Sequence, residues 1–307
     1  MIKPTAIFFC HDVPDSILQV EYYNQDIKAL ENLGYSVIVC HNVFSLPKKY
    51  DLMFIWWWTH ALLPIIHARL TGKPALVTGA FNFQFPDKSC GIDYLHRPAW
   101  QKAIIYLSVK LASLNLFINI AEYEKCAKHF KIKTSRYYPL SVSDKYSVGS
   151  GEKRVAEILN ISWSGKVNLV RKGVPEILHA LKILKDKGVL IRCRIAGRKG
   201  DGENIISSLV MQLGLNDQIS LLGSLSTEEK ISQMRECEIY VQPSLFEGFG
   251  LATAEAMACG SCVIVCDVGA VSEVVGDAGV YVRPGDPTNL ADAIEKVYTD
   301  KYFRQKR

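Results

Sequence analysis

Two glutamates, Glu247 and Glu255, are separated by seven residues in the stretch 239–260. The stretch has the pattern of a strand, a glycine-bearing loop and a helix that begins near Gly250. The start of such a helix directs free backbone N–H groups and the positive end of the helix dipole at the loop. The glycines allow a diphosphate to approach the backbone closely. The stretch therefore predicts an anion-binding site.

The two carboxylates indicate separate ligand groups. Glu255 lies among alanines, so its carboxylate needs a partner within a tightly packed helix. A ribose diol fits, because its two hydroxyl donors can share the two carboxylate oxygens. Glu247 precedes the helix, where it can accept hydrogen bonds from the hydroxyls of a transferred sugar. The alternative is that both are unrelated surface glutamates beside a turn.

Three cations form a second cluster: Lys166, Arg171 and Lys172 lie in a loop that leads into an amphipathic helix. Together with the helix dipole, such cations stabilise the negative charge of a departing diphosphate. Many enzymes that transfer sugars bind a metal ion through an Asp-x-Asp tripeptide. This chain contains no such tripeptide. We therefore expect a reaction that uses neither a metal nor a cofactor. Solvated surface charge is the alternative for this cluster alone.

A repeating pattern of strands and helices has to position these residues. Short apolar runs alternate with segments of helical periodicity along the whole chain, which predicts an α/β fold with parallel strands and helices on both faces. The predicted strands are 6–10, 36–40, 52–58, 75–78, 116–120, 191–196, 219–222, 239–242, 262–266 and 280–282.

The length of 307 residues exceeds one comfortable hydrophobic core, so we expect two domains. The stretch 141–153 is rich in Ser and Gly and is the best candidate linker. The predicted domains are therefore 1–148 and 149–307, both Rossmann-like, facing each other across a cleft with ligands at the carboxyl ends of the strands. Neither domain has G-x-G-x-x-G after its first strand, which argues against a dinucleotide oxidoreductase.

The positive charge of the chain is concentrated in its first half. Through residue 150 the sequence has 16 Lys and Arg against 11 Asp and Glu, and the remainder is balanced. This excess predicts an anionic partner such as a charged glycan, a lipid headgroup or nucleic acid, with solvated surface lysines as the alternative. The stretch 100–116 is compatible with an interfacial amphipathic helix, although burial of one face on the sheet is favoured.

The cysteines and the hydropathy pattern indicate the compartment. Nine cysteines is an odd number, and several lie inside apolar strand-like runs, which is typical of reduced buried thiols. No window reaches the length and apolar character of a membrane span, and the N-terminus does not resemble a signal peptide. We expect a cytoplasmic protein, free or peripheral at the inner membrane face.

These motifs resemble those of glycosyltransferase family 4, a large group with the GT-B fold. The resemblance rests on the two glutamates with Gly248-Phe249-Gly250 between them, and on the Glu-Ala-Met-Ala-x-Gly that starts at Glu255. Further matches are Gly165-Lys166, Lys172-Gly173, Ala196-Gly197, Leu222-Gly223, and Glu273 after Gly269. The resemblance is strong over about 160–300 and weak before that.

The resemblance implies a retaining, metal-independent transfer in which the leaving phosphate helps to deprotonate the acceptor. Glu247 and the backbone of 248–250 would bind the donor sugar and phosphate, and Glu255 the ribose. Lys166 and Lys172 would bind the diphosphate, although the family usually has Arg at the first of these positions. The remaining expected donor-binding residues are Phe249, Leu251, Arg171 and Gly223.

The first half, expected on the acceptor side, departs from the family pattern. The turn 10–16 lacks the usual glycine pair, and Gly79-Ala80-Phe81-Asn82 stands where many members place a histidine near the transferred sugar. The acceptor-side candidates are His11, Asp12 and Asn82, each of which has a merely structural role as its alternative.

The sequence thus predicts an enzyme that moves a hexose-type sugar from a UDP-, GDP-, ADP- or dTDP-linked donor. The expected acceptor is a glycan or a lipid-linked molecule in cell-surface polysaccharide assembly, and no nucleic acid is involved. The alternative is a catalytically weak or silent nucleotide-sugar-binding subunit of a glycan-assembly complex, which the departures in the first half would favour.

Overall fold

The computed structural model describes residues 3–11, 17, 20–86, 91–149 and 155–305. The chain is an α/β protein with two parallel sheets of six strands each. It divides into two compact units. Unit 1 contains Met1–Gln84 and Ile92–Ser143, and unit 2 contains Phe85–Gly91 and Asp144–Arg307. The predicted class, an α/β chain of two Rossmann-like parts, is confirmed.

The sheet of unit 1 has the strand order β2-β1-β3-β4-β5-β6. Every neighbouring pair is parallel. Its strands are β1 (Thr5–Phe9), β2 (Ser36–Cys40), β3 (Leu52–Trp56), β4 (Ala75–Gly79), β5 (Leu114–Phe117) and β6 (Ser135–Tyr137). Its helices are α1 (Glu21–Asn32), α2 (Leu62–Leu70), α3 (Ala99–Leu111) and α4 (Ile120–Phe130).

Both faces of this sheet are buried. Alternate residues of β1 enter two different hydrophobic clusters: Ile7 and Phe9 belong to one, and Ala6 and Phe8 to the other. Because successive side chains of a strand point to opposite faces, helices cover the sheet on both sides. This is the doubly wound arrangement that the alternating pattern predicts.

The sheet of unit 2 has the order β12-β11-β10-β7-β8-β9. Its strands are β7 (Val155–Ile161), β8 (Cys193–Ala196), β9 (Ile219–Gly223), β10 (Cys237–Gln242), β11 (Cys262–Cys266) and β12 (Val280–Val282). Its helices are α5 (Lys166–Arg171), α6 (Val174–Asp186), α7 (Glu203–Gln212), α8 (Thr227–Glu236), α9 (Leu251–Ala258), α10 (Val271–Val275), α11 (Pro287–Thr299) and α12 (Lys301–Gln305).

Two strands are absent from the sequence prediction. β6 is a short edge strand of three residues, with only one buried side chain and thus little apolar signal. β7 pairs with both β8 and β10, but its apolar run is interrupted by Glu157 and Asn160. The side chain of Asn160 is fully buried and donates to the carbonyl oxygen of Val241 at 2.7 Å. A hydrogen bond across the sheet therefore replaces the hydrophobic contact on which pattern reading depends.

Three consecutive tryptophans lie at the carboxyl end of β3, and each indole N–H donates a hydrogen bond that holds this end in place. The indole N–H of Trp56 donates to Asp26 at 2.8 Å, and that of Trp58 donates to Asn115 at 2.8 Å. Between them, Trp57 has a φ of 75° and donates to the hydroxyl of Tyr23 at 2.7 Å. The predicted strand 52–58 thus ends at Trp56, because the left-handed backbone at Trp57 turns the chain away.

In the described part of the chain, no helix has both the length and the apolar character that crossing a membrane would require.

A buried carboxyl group gives unit 1 a specific pH dependence. Asp26 is 5% exposed and accepts hydrogen bonds from Trp56 and from the hydroxyl of Tyr138. Burial raises its pKa from 3.8 to about 6, although both hydrogen bonds oppose the change. The folded state therefore binds more protons than the unfolded state between about pH 4 and pH 6, and stability falls as the pH rises through that window.

We predict that Asp26→Asn removes this fall of stability with pH, because the amide does not ionise. The fold should persist, since the amide oxygen can accept from Trp56 while the amide N–H donates to Tyr138. The free energy of unfolding of the variant, relative to wild type, should increase by about 2 kcal/mol from pH 4 to pH 7. Urea unfolding followed by tryptophan fluorescence measures the difference. Asp51→Asn is the control: a backbone hydrogen bond from Thr5 and the ammonium of Lys73 hold the pKa of Asp51 below its usual value, so its contribution to stability changes below about pH 4 and the variant should show little change from pH 4 to pH 7. A difference for Asp26→Asn that does not change with pH would contradict the assignment.

Candidate functional site

The loops that follow the parallel strands of unit 2 meet at one edge of its sheet. The loops after β7 and β8 are joined by backbone hydrogen bonds, from Ser164 to the carbonyl of Arg198 at 2.9 Å and from Gly202 to that of Ser164 at 2.8 Å. A side chain at Gly197 would overlap the carbonyl oxygen of Ser162, so only glycine allows this approach. The edge is the place where ligands bind in open parallel sheets.

Glu247 lies in the loop between β10 and α9 and is held by two cations. Its Oε2 atom is 2.5 Å from the ammonium of Lys172 and 3.8 Å from the guanidinium of Arg171. The hydroxyl of Ser244 donates to the same oxygen at 3.3 Å. With only 8% of Glu247 exposed, this carboxylate is not the solvated surface group that the sequence left as an alternative.

The charge state of Glu247 follows from these contacts. Burial by itself raises the pKa of the carboxyl group, but the charges of Lys172 and Arg171 and the hydrogen bonds outweigh it and hold the pKa below the usual value. The group is therefore ionised at neutral pH, and the cations Lys172 and Arg171 fix the orientation of its carboxylate oxygens.

The backbone around Glu247 is held from two sides. Arg171 donates to the carbonyl of Phe246 at 3.0 Å, and its own carbonyl accepts from the N–H of Leu245 at 2.8 Å. On the other side, the N–H of Ala270 donates to the carbonyl of Glu247 at 3.2 Å. Gly269 allows this contact, because it has a φ of 60° and a side chain there would overlap the carbonyl oxygen of Glu247.

The helix after this loop starts as the sequence predicts. Gly250 precedes α9 with a φ of 91°, a left-handed conformation that favours glycine, and its carbonyl accepts from Ala254 at 3.0 Å. Phe249 is buried at 9% exposure and anchors the turn, while Gly248 and Leu251 are half-buried on either side. The helix α9 therefore begins directly after the loop that carries Glu247, as the predicted anion site requires, and the binding of an anion there stays a prediction.

Glu255, one turn into α9, is 2% exposed and already has a cationic partner. The ammonium of Lys230, on α8, is 3.0 Å from both of its oxygens. The same ammonium lies 5.0 Å from the centre of the Tyr146 ring, in a cation–π contact. The sequence requires a partner for this carboxylate, and the protein supplies one before any ligand binds.

Two further predicted donor residues lie at the same sheet edge but outside these ion pairs. Lys166 is the first residue of α5; its backbone N–H donates to Asp201 at 2.8 Å, and its side chain is exposed. Gly223 ends β9 with a φ of 70°, and its carbonyl accepts from Gly197 at 2.8 Å. Their roles in donor binding stay predictions.

The acceptor-side candidates belong to unit 1. The rings of His11 and His60 stack with their centres 4.3 Å apart, beyond the ends of β1 and β3. Asn82 has a φ of 53° in the loop after β4. That loop is fixed by the buried carboxylate of Glu122, which accepts the N–H groups of Phe81 and Phe83 at 2.9 and 3.1 Å. Asp12 lies outside the described residues.

Several residues of these sites are absent from the sequence prediction: Lys230, Tyr146, Ser244 and Glu122. Lys230 directly follows Ser226-x-x-Glu229, a capping box that marks the start of α8. That signal locates the helix, but it does not reveal that the lysine faces a glutamate 25 positions further along the chain. Glu122 carries an equivalent signal at the start of α4, where Asn119 caps the helix. Neither pattern indicates the distant partner.

Among the described residues, no group of three or more His, Cys, Asp and Glu side chains is arranged to hold a metal ion. Metal-independent catalysis stays a prediction.

Comparison with known proteins adds to this geometry. Residues 165–307 match the family model of the glycosyl transferases group 1. An uncharacterized glycosyltransferase of Methanocaldococcus jannaschii is 30% identical over 168 residues, which are 48% of this chain and 43% of that protein. A phosphatidyl-myo-inositol mannosyltransferase of Mycobacterium leprae is 32% identical over 149 residues, 48% of this chain and 39% of that protein. The matches thus span less than half of these relatives.

A solved structure extends the likeness to the rest of the chain. HepE of Anabaena, in complex with UDP and glucose, has a TM-score of 0.76 at 15% sequence identity. The match covers 99% of this chain and 92% of that one. At such low identity the likeness establishes the fold alone. The chain therefore has the GT-B type of fold, and its second unit is similar in sequence to the glycosyl transferases of group 1.

The contact between Gly269 and Glu247 generates a prediction. Gly269→Ala should displace the loop that carries Glu247, because the new methyl group would overlap the Glu247 carbonyl oxygen. Gly285→Ala is the matched control: its φ of 69° imposes a similar backbone strain of about 1 kcal/mol, but no atom lies within 4 Å of the added methyl group. We expect Gly269→Ala to lower the free energy of unfolding by about 2 kcal/mol more than the control. Equal decreases in the free energy of unfolding of the two variants, measured by chemical denaturation, would show that the Glu247 loop can move to accommodate the methyl group and would contradict the prediction.

Proposed function

We propose that this chain is a retaining glycosyltransferase of family 4, which moves a hexose-type sugar from a nucleotide-diphosphate donor to an acceptor without a metal or cofactor. The observation that carries the proposal is the buried, ionised Glu247, held by Lys172 beside the start of α9. It lies inside the region that matches the glycosyl transferases group 1. The Anabaena neighbour, solved with UDP and glucose, supports a nucleotide-sugar donor.

In this proposal the sugar of the donor binds at Glu247. An ionised carboxylate accepts charge-assisted hydrogen bonds from sugar hydroxyls, which are stronger than neutral ones. The cations keep Glu247 ionised in a poorly solvated place. The carboxylate is thus already desolvated in the folded protein, and binding of the sugar does not have to remove its water. Arg171 serves as a positioning residue, because two of its nitrogens bond to Phe246 and Asn168.

The diphosphate binds between the start of α9 and the cations of 166–172. Lys172 donates one hydrogen bond to Glu247, and an ammonium group has three donors in all. The first N–H groups of α9 and the side chain of Lys166 complete the positive environment. As the bond between the anomeric carbon and the diphosphate oxygen breaks, these groups stabilise the charge that develops on that oxygen.

The acceptor hydroxyl attacks the anomeric carbon from the face that the diphosphate leaves, and its proton passes to the departing phosphate oxygen. The configuration of the sugar is retained, and no protein base is needed. Glu255 binds the ribose. A carboxylate has about four lone-pair positions, so it can accept ribose hydroxyls while Lys230 stays in contact.

The proposed setting is cell-surface polysaccharide assembly at the cytoplasmic side, with a glycan or lipid-linked acceptor. The relative in Mycobacterium leprae, a phosphatidyl-myo-inositol mannosyltransferase, supports transfer to a lipid-linked molecule. The nucleotide is UDP, GDP, ADP or dTDP, and the experiment below distinguishes them.

The donor assignment is tested by binding. We expect one class among UDP-, GDP-, ADP- and dTDP-sugars to stabilise the wild-type protein by about 2.7 kcal/mol at a hundred times its dissociation constant. Glu255→Ala should abolish the corresponding thermal shift. Glu295→Ala is the control, since that glutamate forms an exposed ion pair with Lys187 in the same unit and should leave the shift unchanged. A full shift in Glu255→Ala would remove the ribose assignment.

The role of Glu247 is tested by turnover. Glu247→Gln keeps the shape of the side chain but loses the charge, so we expect release of sugar from the donor to fall by about 100-fold in kcat. Nucleotide binding should persist, because the helix start and Glu255 are untouched. Unchanged turnover would exclude Glu247 from catalysis. Donor binding without turnover in the wild-type protein would instead identify a silent nucleotide-sugar-binding subunit.

A further inference from the structure

The two sheets end in the edge strands β2 and β6 in unit 1 and β12 and β9 in unit 2. An edge strand presents backbone N–H and C=O groups that can pair with another chain, and proteins usually protect it with a short strand, a charged side chain or a bulge. Three of these edges are protected. β6 and β12 have three residues each, and β6 contains Arg136. The register of β9 with β8 shifts between Ile195 and Ala196, as at a bulge.

The edge strand β2 has none of this protection. It pairs with β1 in an unbroken parallel register along all five of its residues, Ser36–Cys40. The segment 33–47 contains no Asp, Glu, Lys or Arg, and its only proline is Pro47, which follows the strand. β2 is therefore a regular, uncharged edge that another strand can extend.

Hydrogen bonds at the two ends of β2 show which backbone groups point away from the sheet. The N–H of Ser36 donates to the carbonyl of Pro4 at 2.8 Å, and the carbonyl of Cys40 accepts from the N–H of Cys10 at 3.0 Å. Because the direction of these groups alternates along a strand, the even-numbered residues of β2 face β1 and the odd-numbered residues face outward. On that outer side the described part of the chain supplies no further strand.

Apolar side chains accompany this edge along its length. Ile38 and Val39 are 39% and 38% exposed, and as neighbours in a strand they point to opposite faces of the sheet. Leu33, before the strand, is 74% exposed, and Phe44, after it, is 93% exposed. A lipid surface would cover the side chains but would offer no partner to the outward N–H and C=O groups. The edge therefore fits another strand better than a membrane.

A second copy of the chain fits this edge through a two-fold axis beside Ile38. In antiparallel pairing about that axis, Val37 lies opposite Val39 of the second copy, and Val39 lies opposite its Val37. Each of these pairs exchanges two backbone hydrogen bonds, because both residues direct their groups outward. Every residue of β2 is then paired, whereas a slip by two residues leaves some of them without a partner. A two-fold contact of this kind closes the assembly at two copies.

The residues at the two ends of β2 match in the same arrangement. Antiparallel pairing sets the amino end of one strand beside the carboxyl end of the other. Leu33 is five positions before Ile38 and Phe44 is six positions after it, so Leu33 of each copy lies toward Phe44 of the other. The segment 33–47 is uncharged, so the basic excess of the first half places no like charges opposite each other along the paired strands.

We propose that the chain forms a two-fold homodimer by antiparallel pairing of β2, which joins the six-stranded sheets of unit 1 in the two copies into one continuous sheet. The proposal does not depend on the glycosyltransferase function, because β2 contains none of the residues assigned to the donor or the acceptor.

The test is sedimentation velocity of the full chain at protein concentrations up to about 100 µM. We expect a species of twice the 34.4 kDa of one chain. Ile38→Lys places two ammonium groups opposite each other at the axis, so this variant should be monomeric where wild type is dimeric. Leu221→Lys is the matched control: this leucine is 47% exposed on the edge strand β9, and the variant should stay dimeric. A monomeric wild type at every concentration, or equal dissociation of both variants, would overturn the proposal.

A charge exchange identifies the register and separates it from misfolding. Ile38→Glu alone should also be monomeric, because two carboxylates then oppose each other. An equimolar mixture of Ile38→Lys and Ile38→Glu should restore the dimer, since residue 38 of one copy meets residue 38 of the other in this register alone. A misfolded variant could not be rescued in this way. A mixture that stays monomeric while wild type is dimeric would show that the copies meet through a different surface, and the proposal would fail.

Discussion

The arrangement of unit 2 depends on keeping an ionised carboxylate in a place with little water. Glu247 alone would be costly there, because burial disfavours the charged form. Lys172 compensates, and it reaches Glu247 because α5 ends and the chain turns at Gly173, whose φ is 69°. A side chain at Gly173 would overlap the carbonyl oxygen of Pro243, which lies just before the Glu247 loop. The close backbone approach at Gly173 therefore brings Lys172 within reach of Glu247.

A second ion pair supports the same helix in a different way. Glu255 is nearly inaccessible on α9, and Lys230 reaches it from α8. The lysine is itself 20% exposed, so it connects the buried carboxylate with the solvent edge of the unit. Removing one partner of such a pair leaves the other charge buried and costs far more than the pair contributes. The two glutamates are thus constrained by the fold whether or not a ligand is bound.

The sequence predicts most of this fold but only part of the site. Alternating strands and helices suffice for two parallel sheets, because the signal is local and repeated. β7 is missed because Asn160 satisfies its buried position with a hydrogen bond instead of an apolar contact. Glycines, glutamates and lysines are recognised by type and spacing, whereas the contact between Lys230 and Glu255 joins different helices. No local pattern specifies such a pairing, since it depends on how the helices pack.

In unit 1 as well, the sequence indicates the types of residue but not their positions on the folded surface. The excess of basic residues in the first half is visible in the sequence, yet it does not indicate which surface they occupy. The structure places part of that charge at the amino end of the sheet, where Lys49 precedes Tyr50, whose hydroxyl bonds to His67 in the last turn of α2. The exposed side chains of Phe44 and Leu63 contribute little to folding, because they stay in contact with water.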